Sequence, residues 1–115
     1  MNKLLNLYFL IAMVSINAQV TYIQGGGTLD DWAHLKKYEK DNMEIKGIDD
    51  PNRVVFMGNS ITEGWLYFNK SFFIENPFIN RGIGGQTTPQ MLIRFKPDVV
   101  NLNPKAVVIL AGIND

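Results

Sequence analysis

The sequence predicts an α/β protein built on a parallel sheet with helices on both faces, and three observations carry that expectation. The runs 53–57 (RVVFM) and 106–111 (AVVILA) are almost continuously apolar, as strands buried on both faces are, and do not alternate. Apolar residues at helical spacing follow the first run (Ile61, Trp65, Phe68) and precede the last (Met91, Leu92, Phe95). A shorter strand candidate, 78–80, lies between them, so the order is strand, helix, strand, helix, strand. That alternation implies right-handed crossovers and one parallel sheet.

The elements follow in order. Lys3 and the apolar run Leu4 to Val14, broken only by Asn6, form a basic start and a stretch too short to span a bilayer. Residues 1–18 therefore read as a cleavable secretion signal, with Ile16 and Ala18 at the positions a signal peptidase inspects and cleavage after Ala18. No transmembrane anchor is expected, and with no cysteine in the sequence a lipoprotein anchor is excluded. The implied location is secreted or periplasmic. Residues 19–29, polar and then triple-glycine at Gly25, Gly26 and Gly27, read as a flexible lead-in. Order is expected from Asp30 or Asp31, either able to cap a helix carrying Trp32, Leu35 and Tyr38 on one face. His34 on that helix reads as a surface or satisfied histidine.

Asp49 to Asn52 form a turn, and the first strand then ends at Gly58-Asn59-Ser60, where a helix begins. The second strand runs into Arg81-Gly82-Ile83-Gly84-Gly85, and Thr87 or Thr88 with Pro89 behind it starts the next helix. Pro97 is expected to kink or restart that helix, and Asn103-Pro104 to end the connection before AVVILA, which stops at Gly112-Ile113-Asn114-Asp115. Residues 30–115 thus form one domain or part of one.

Composition narrows the function. The 115 residues hold 11 basic and 11 acidic side chains, so no excess positive charge is available for nucleic acid or an anionic membrane. At 46% hydrophobic and 11% aromatic the chain has the composition of a packed domain. With no cysteine and one histidine, a thiol nucleophile, a Cys-ligated metal and a multi-His metal cluster are excluded, and neither metal nor organic cofactor is expected.

In parallel sheets the functional groups gather at the carboxyl ends of strands, so Ser60, Gly85 and Asn114 should converge on one rim. A serine at a strand-to-helix turn, a glycine amide and an asparagine carboxamide are the parts of an acyl-transfer site: a nucleophile and donors to a developing oxyanion. Competing readings are a helix cap for Ser60, a turn at Asn114 and Asp115, and a phosphate loop at Gly82 to Thr87. The last lacks the final glycine of G-x-G-x-x-G. Trp65, Tyr67, Phe68, Phe72, Phe73 and Phe78 are expected in packing more than in an acyl pocket, Thr62 and Glu63 in the first helical turn, and Arg81 beside an acid the sequence does not identify.

Together the three blocks resemble the N-terminal half of an SGNH hydrolase, the GDSL-type esterase and lipase family. VVFMGNSITEGW resembles the block carrying the nucleophile, here Ser60; NRGIGGQTT the block whose glycine donates an oxyanion N–H, here Gly85; VVILAGIND the block whose asparagine is the remaining donor, here Asn114. Within the family, GNSITEGW looks closest to small bacterial acylhydrolases of the platelet-activating-factor acetylhydrolase type. The implied fold is a flavodoxin-like doubly wound sheet, of which this chain holds the first three strands. The implied activity is a serine esterase cleaving small acyl esters, such as acetyl groups on carbohydrate, through an acyl-enzyme. The competing function is a non-catalytic secreted carbohydrate- or ligand-binding domain on the same fold.

Two departures stand out. Asn59 occupies the position where the family usually has aspartate before the nucleophile, which keeps an acceptor and removes a charge from the rim. The family's D-x-x-H signature, source of the catalytic histidine and its orienting aspartate, is expected beyond Asp115. The chain is therefore expected to be a fragment, inactive as such, with AVVILA as an exposed apolar edge and about a hundred further residues in a full-length relative.

Overall fold

The computed structural model describes residues 23–115; the expected secretion signal and residues 19–22 lie outside them. Three strands, β1 (Val54–Gly58), β2 (Phe78–Gly82) and β3 (Ala106–Leu110), form a parallel sheet in the order β2-β1-β3. Val54 pairs with Phe78 and Ala106, and Gly58 with Gly82 and Leu110, so the three strands end level. The expected doubly wound α/β architecture is observed, and its register delivers the residues after each strand to one rim.

Four helices accompany the sheet: α1 (Glu39–Ile45), α2 (Ser60–Phe68), α3 (Lys70–Ile74) and α4 (Thr88–Asp98). Short 3-10 turns cover Leu35–Lys37 and Val100–Leu102. The expected helix over Trp32, Leu35 and Tyr38 does not form. Asp31 does cap, its carboxylate accepting the Leu35 and Lys36 N–H groups at 2.7 and 3.0 Å. His34, however, takes a left-handed conformation (φ 57), which interrupts helical geometry and leaves one 3-10 turn before α1.

Residues 23–29 are held by several hydrogen bonds. The Gly26 N–H donates to the Ile23 carbonyl, the Gln24 carbonyl accepts from Gln90 Nε2, and Gly25 is buried. The second strand runs two residues past its expected end, because Arg81 and Gly82 still pair with Met57 and Gly58. Of the two threonines expected to start α4, Thr87 is the cap, and it forms a capping box with Gln90: the Thr87 N–H donates to Gln90 Oε1 at 3.0 Å. Pro97 does not break the helix, which runs to Asp98; so near the end, its missing N–H deprives only one carbonyl of the last turn.

The sheet's two faces pack differently. Phe56 meets Trp65, Phe72 and Phe73 edge-on at 5.5–5.7 Å and Phe78 at 5.4 Å, an aromatic cluster under α2 and α3. The expectation of packing is met for these residues but not for Tyr67 and Phe68, which are 78% and 92% exposed on the outer side of α2. On the opposite face Val55 and Met57 form a core with Met91, Val99 and Leu102. Each such buried side chain contributes about 1.5–3 kcal/mol. β3 pairs with β1 alone among the described residues, and Val108, Ile109 and Leu110 remain about half exposed.

Candidate active site

β1 delivers the chain to the rim through Asn59, the N-cap of α2, whose Oδ1 accepts the Ile61 N–H at 3.0 Å. Asn59 is buried, and its side chain is committed to this cap. Ser60 follows as the first residue of α2, with its side chain exposed.

β2 ends beneath the first turn of α2. At Gly82 a methyl group would land on the Glu63 main-chain nitrogen, so only glycine permits this approach. The loop that follows is pinned at two of three consecutive amides. The Gly84 N–H donates to Glu63 Oε2 at 2.7 Å and the Gln86 N–H to the Ile83 carbonyl at 3.3 Å. The amide between them, on Gly85, has no hydrogen-bond acceptor among the described residues. Gly85 has φ +75, and a methyl there would press on the Gly25 main chain at 3.2 Å. Ser60 adjoins the same loop: a methyl built on Gly84 would lie 3.7 Å from Ser60 Cβ.

From β3 the chain reaches the loop at Asn114, whose Nδ2 donates to the Gln86 carbonyl at 3.0 Å. A carboxamide nitrogen has two protons, so one fixes the group while the other remains for a ligand. Asp115 receives the Thr88 N–H and hydroxyl, each at 2.7 Å, closing the segment onto the start of α4. Ser60 thus sits at one end of the 84–86 loop and Asn114 at the other, with the Gly85 amide between. Such a rim carries a hydroxyl and hydrogen-bond donors.

Four further residues shape the site. Glu63, expected only to favour the helix dipole, also forms an ion pair with Lys37 while holding Gly84. Tyr38 donates its hydroxyl to the Gly82 carbonyl, and burial, aided by the nearby Glu63 charge, pushes its pKa up to about 12. Gln86 and Arg94, both fully buried, hydrogen-bond to each other. Burial lowers the Arg94 pKa, and Asp98 at 2.9 Å acts against this. The sequence pointed to none of these contacts, most of which join residues far apart along the chain. Arg94 lies on the buried Met91–Arg94–Asp98 stripe of α4, where the sequence put Leu92, which is 76% exposed.

Arg81 forms no ion pair among the described residues, although the charges of Asp98 and Asp41 act on it from further away. Its Nε donates to Asn42 Oδ1 and its Nη1 to the Asn80 carbonyl, both at 2.9 Å, while its guanidinium lies 4.6 Å from the Tyr38 ring centre. His34 is not satisfied as expected, since its buried Nδ1 has no partner among the described residues. No group of side chains among the described residues could hold a metal ion, and no helix among them is long and apolar enough to cross a membrane.

A parallel α/β sheet whose rim carries a helix-starting serine, a glycine loop and an asparagine is the architecture of serine hydrolases of the doubly wound kind. Comparison with known proteins gives the family. The chain resembles the crystal structure of a proposed acylhydrolase from Bacteroides fragilis NCTC 9343, with 54% identity and a TM-score of 0.69, over 73% of this chain and 41% of that one. It resembles a GDSL-like lipase from Bacteroides thetaiotaomicron VPI-5482 at 49% identity and a TM-score of 0.67, over 71% and 40%. It is also 49% identical to the uncharacterized lipoprotein YqeF of Bacillus subtilis strain 168, over 63% of this chain and 34% of that protein. No family model matches the chain. The chain belongs to the SGNH, or GDSL-type, hydrolase family and corresponds to its N-terminal part. It spans between about a third and two fifths of the length of these relatives.

Proposed function

We propose that this chain carries the nucleophile and oxyanion-binding half of a serine ester hydrolase. The observation that carries the reading is the Gly85 amide, without an acceptor among the described residues and flanked by two bonded amides, beside exposed Ser60 and an Asn114 carboxamide bonded through Nδ2 to the Gln86 carbonyl. Ser60 Oγ attacks an ester carbonyl and its proton passes to a base. The carbonyl oxygen becomes an oxyanion held by the Ser60 and Gly85 N–H groups and the Asn114 side chain. Collapse expels the alcohol and leaves an acyl-Ser60 ester, which water then hydrolyses.

The base and its orienting acid are proposed to belong to the part of the family's domain that this chain does not span. The one histidine of the 115 residues, His34, is committed to a left-handed turn ahead of α1. The substrates proposed are small acyl esters, acetyl groups on carbohydrate among them, met outside the cytoplasm in a secreted or periplasmic protein. No metal or organic cofactor enters the scheme.

The test is covalent labelling of the protein expressed from its native gene by a fluorophosphonate. Labelling is expected, and Ser60→Ala should abolish it. Equal labelling of both proteins, or none of either, would favour a binding domain on the same fold. On an ester substrate Asn114→Ala is expected to lower kcat by about two to three powers of ten, measured with p-nitrophenyl acetate. The 115-residue polypeptide alone is expected to show no Ser60-dependent turnover of that ester.

A further inference from the structure

We propose that Arg94 is a positioning residue that locks the Gly85 loop in register with the Ser60 turn; the proposal rests on the reading of that rim as an acyl-transfer site. Arg94 enters from α4 with no exposed surface, and its donors go to separate parts of the rim. Its Nη2 donates to the Gly58 carbonyl at 3.1 Å and to the Arg81 carbonyl at 2.7 Å, the main-chain ends of β1 and β2. Its Nε donates to Gln86 Oε1, and its Nη1 meets Asp98 at 2.9 Å. Gly58 lies two residues before Ser60 and Gln86 one residue after Gly85. Asn114 hangs from the Gln86 main-chain carbonyl, so one guanidinium connects the settings of all three proposed site groups.

The chemistry suits this role and no simpler one. A buried cation is costly, and apolar residues would fill the same space more cheaply if packing were the only demand. Here the charge is offset by Asp98, whose other oxygen accepts from Asn42 Nδ2 at 2.6 Å, and the remaining donors all reach the rim. The planar guanidinium can serve several acceptors in fixed directions. A lysine ammonium keeps the charge but cannot reach Gly58, Arg81 and Gln86 together. Gln86 relays the position onward, its Nε2 donating to the Ala33 carbonyl at 2.7 Å.

Amide hydrogen exchange on the protein expressed from its native gene tests this directly. Arg94→Lys is expected to speed exchange at Gly84 and Gln86, the two hydrogen-bonded amides of the loop, by about tenfold or more, while Val55 to Met57 in β1 change by less than about twofold. A rise of equal size at both places, or at neither, would overturn the proposal. Should Arg94→Lys leave no protected amides at all, Gln86→Met decides, because it cuts the loop's tie to Arg94, along with the Gln86 bond to the Ala33 carbonyl, and leaves the Arg94 acceptors at the strand ends in place. It should free the same two amides by a similar factor, and an unchanged loop counts against the idea. In the same variants p-nitrophenyl acetate hydrolysis should lose kcat by about tenfold with KM little altered, as misplacement of donors predicts. If the unsubstituted protein shows no Ser60-dependent hydrolysis, the acyl-transfer reading fails while the exchange result still judges the brace.

Discussion

Tyr38 illustrates how one side chain links packing beneath the rim to a measurable pH dependence. Its hydroxyl donates to the Gly82 carbonyl, and burial raises its pKa from 10.0 to about 12. The unfolded chain therefore loses this proton at lower pH than the folded one. The stabilisation is fully present below about pH 10 and falls as pH rises from there towards 12. Thermal melting followed from pH 8 upward should show a steeper alkaline decline in the unsubstituted protein than in Tyr38→Phe. The Phe variant should be less stable at neutral pH by about 1 kcal/mol, for the lost hydrogen bond. At Gly85 a different constraint acts: φ is +75 and the Gly25 main chain blocks a methyl. Gly85→Ala is expected to cost about 1–2 kcal/mol in denaturant unfolding, from left-handed strain and the crowded contact together.

At the scale of elements, the strands and the rim could be read from the sequence, whereas the wiring beneath them could not. Unbroken apolar runs announced β1 and β3, and the breakers after all three strands placed Ser60, Gly85 and Asn114 beyond the ends of β1, β2 and β3. The helix expected at 30–38 failed because His34 adopts a conformation that no apolar spacing reveals. On α4 Met91 and Phe95 pack into the core as expected, but Leu92 is exposed and Arg94 and Asp98 are buried in its stead. Arginine and aspartate at helical spacing read as solvent-facing, and their burial depends on carbonyls brought from β1 and β2 by tertiary structure. Gln90 shows the same limit. It completes the cap at Thr87, and its Nε2 also reaches the Gln24 and Trp32 carbonyls, tying residues before α1 to the start of α4. Gln90→Ala should therefore lower stability by about 2 kcal/mol, more than a cap alone, and should speed amide exchange at Gly26. Loss of stability without any change at Gly26 would mean that only the cap matters.

For the whole molecule the decisive feature is the outer side of β3. Among the described residues it pairs only with β1, and beside it an open cavity of about 500 Å3 is lined by Met57, Pro89, Met91, Leu92, Phe95 and Ile109. Unpaired strand groups beside an apolar surface are a template for another chain, and domains normally cover or charge such an edge. The relatives are more than twice as long as the part this chain matches, so the 115-residue polypeptide taken alone should behave differently from them in solution. It is expected to self-associate at micromolar concentration, seen as concentration-dependent sedimentation. Ile109, 56% exposed and lining the cavity, is the position at which to intervene. A lysine there keeps an aliphatic stem over the apolar surface and places a charge at the edge, so Ile109→Lys should shift the population towards monomer without unfolding the sheet. A monomeric unsubstituted polypeptide across that range would show that the β3 edge is protected by something other than pairing, and the same Lys substitution would then leave sedimentation unchanged.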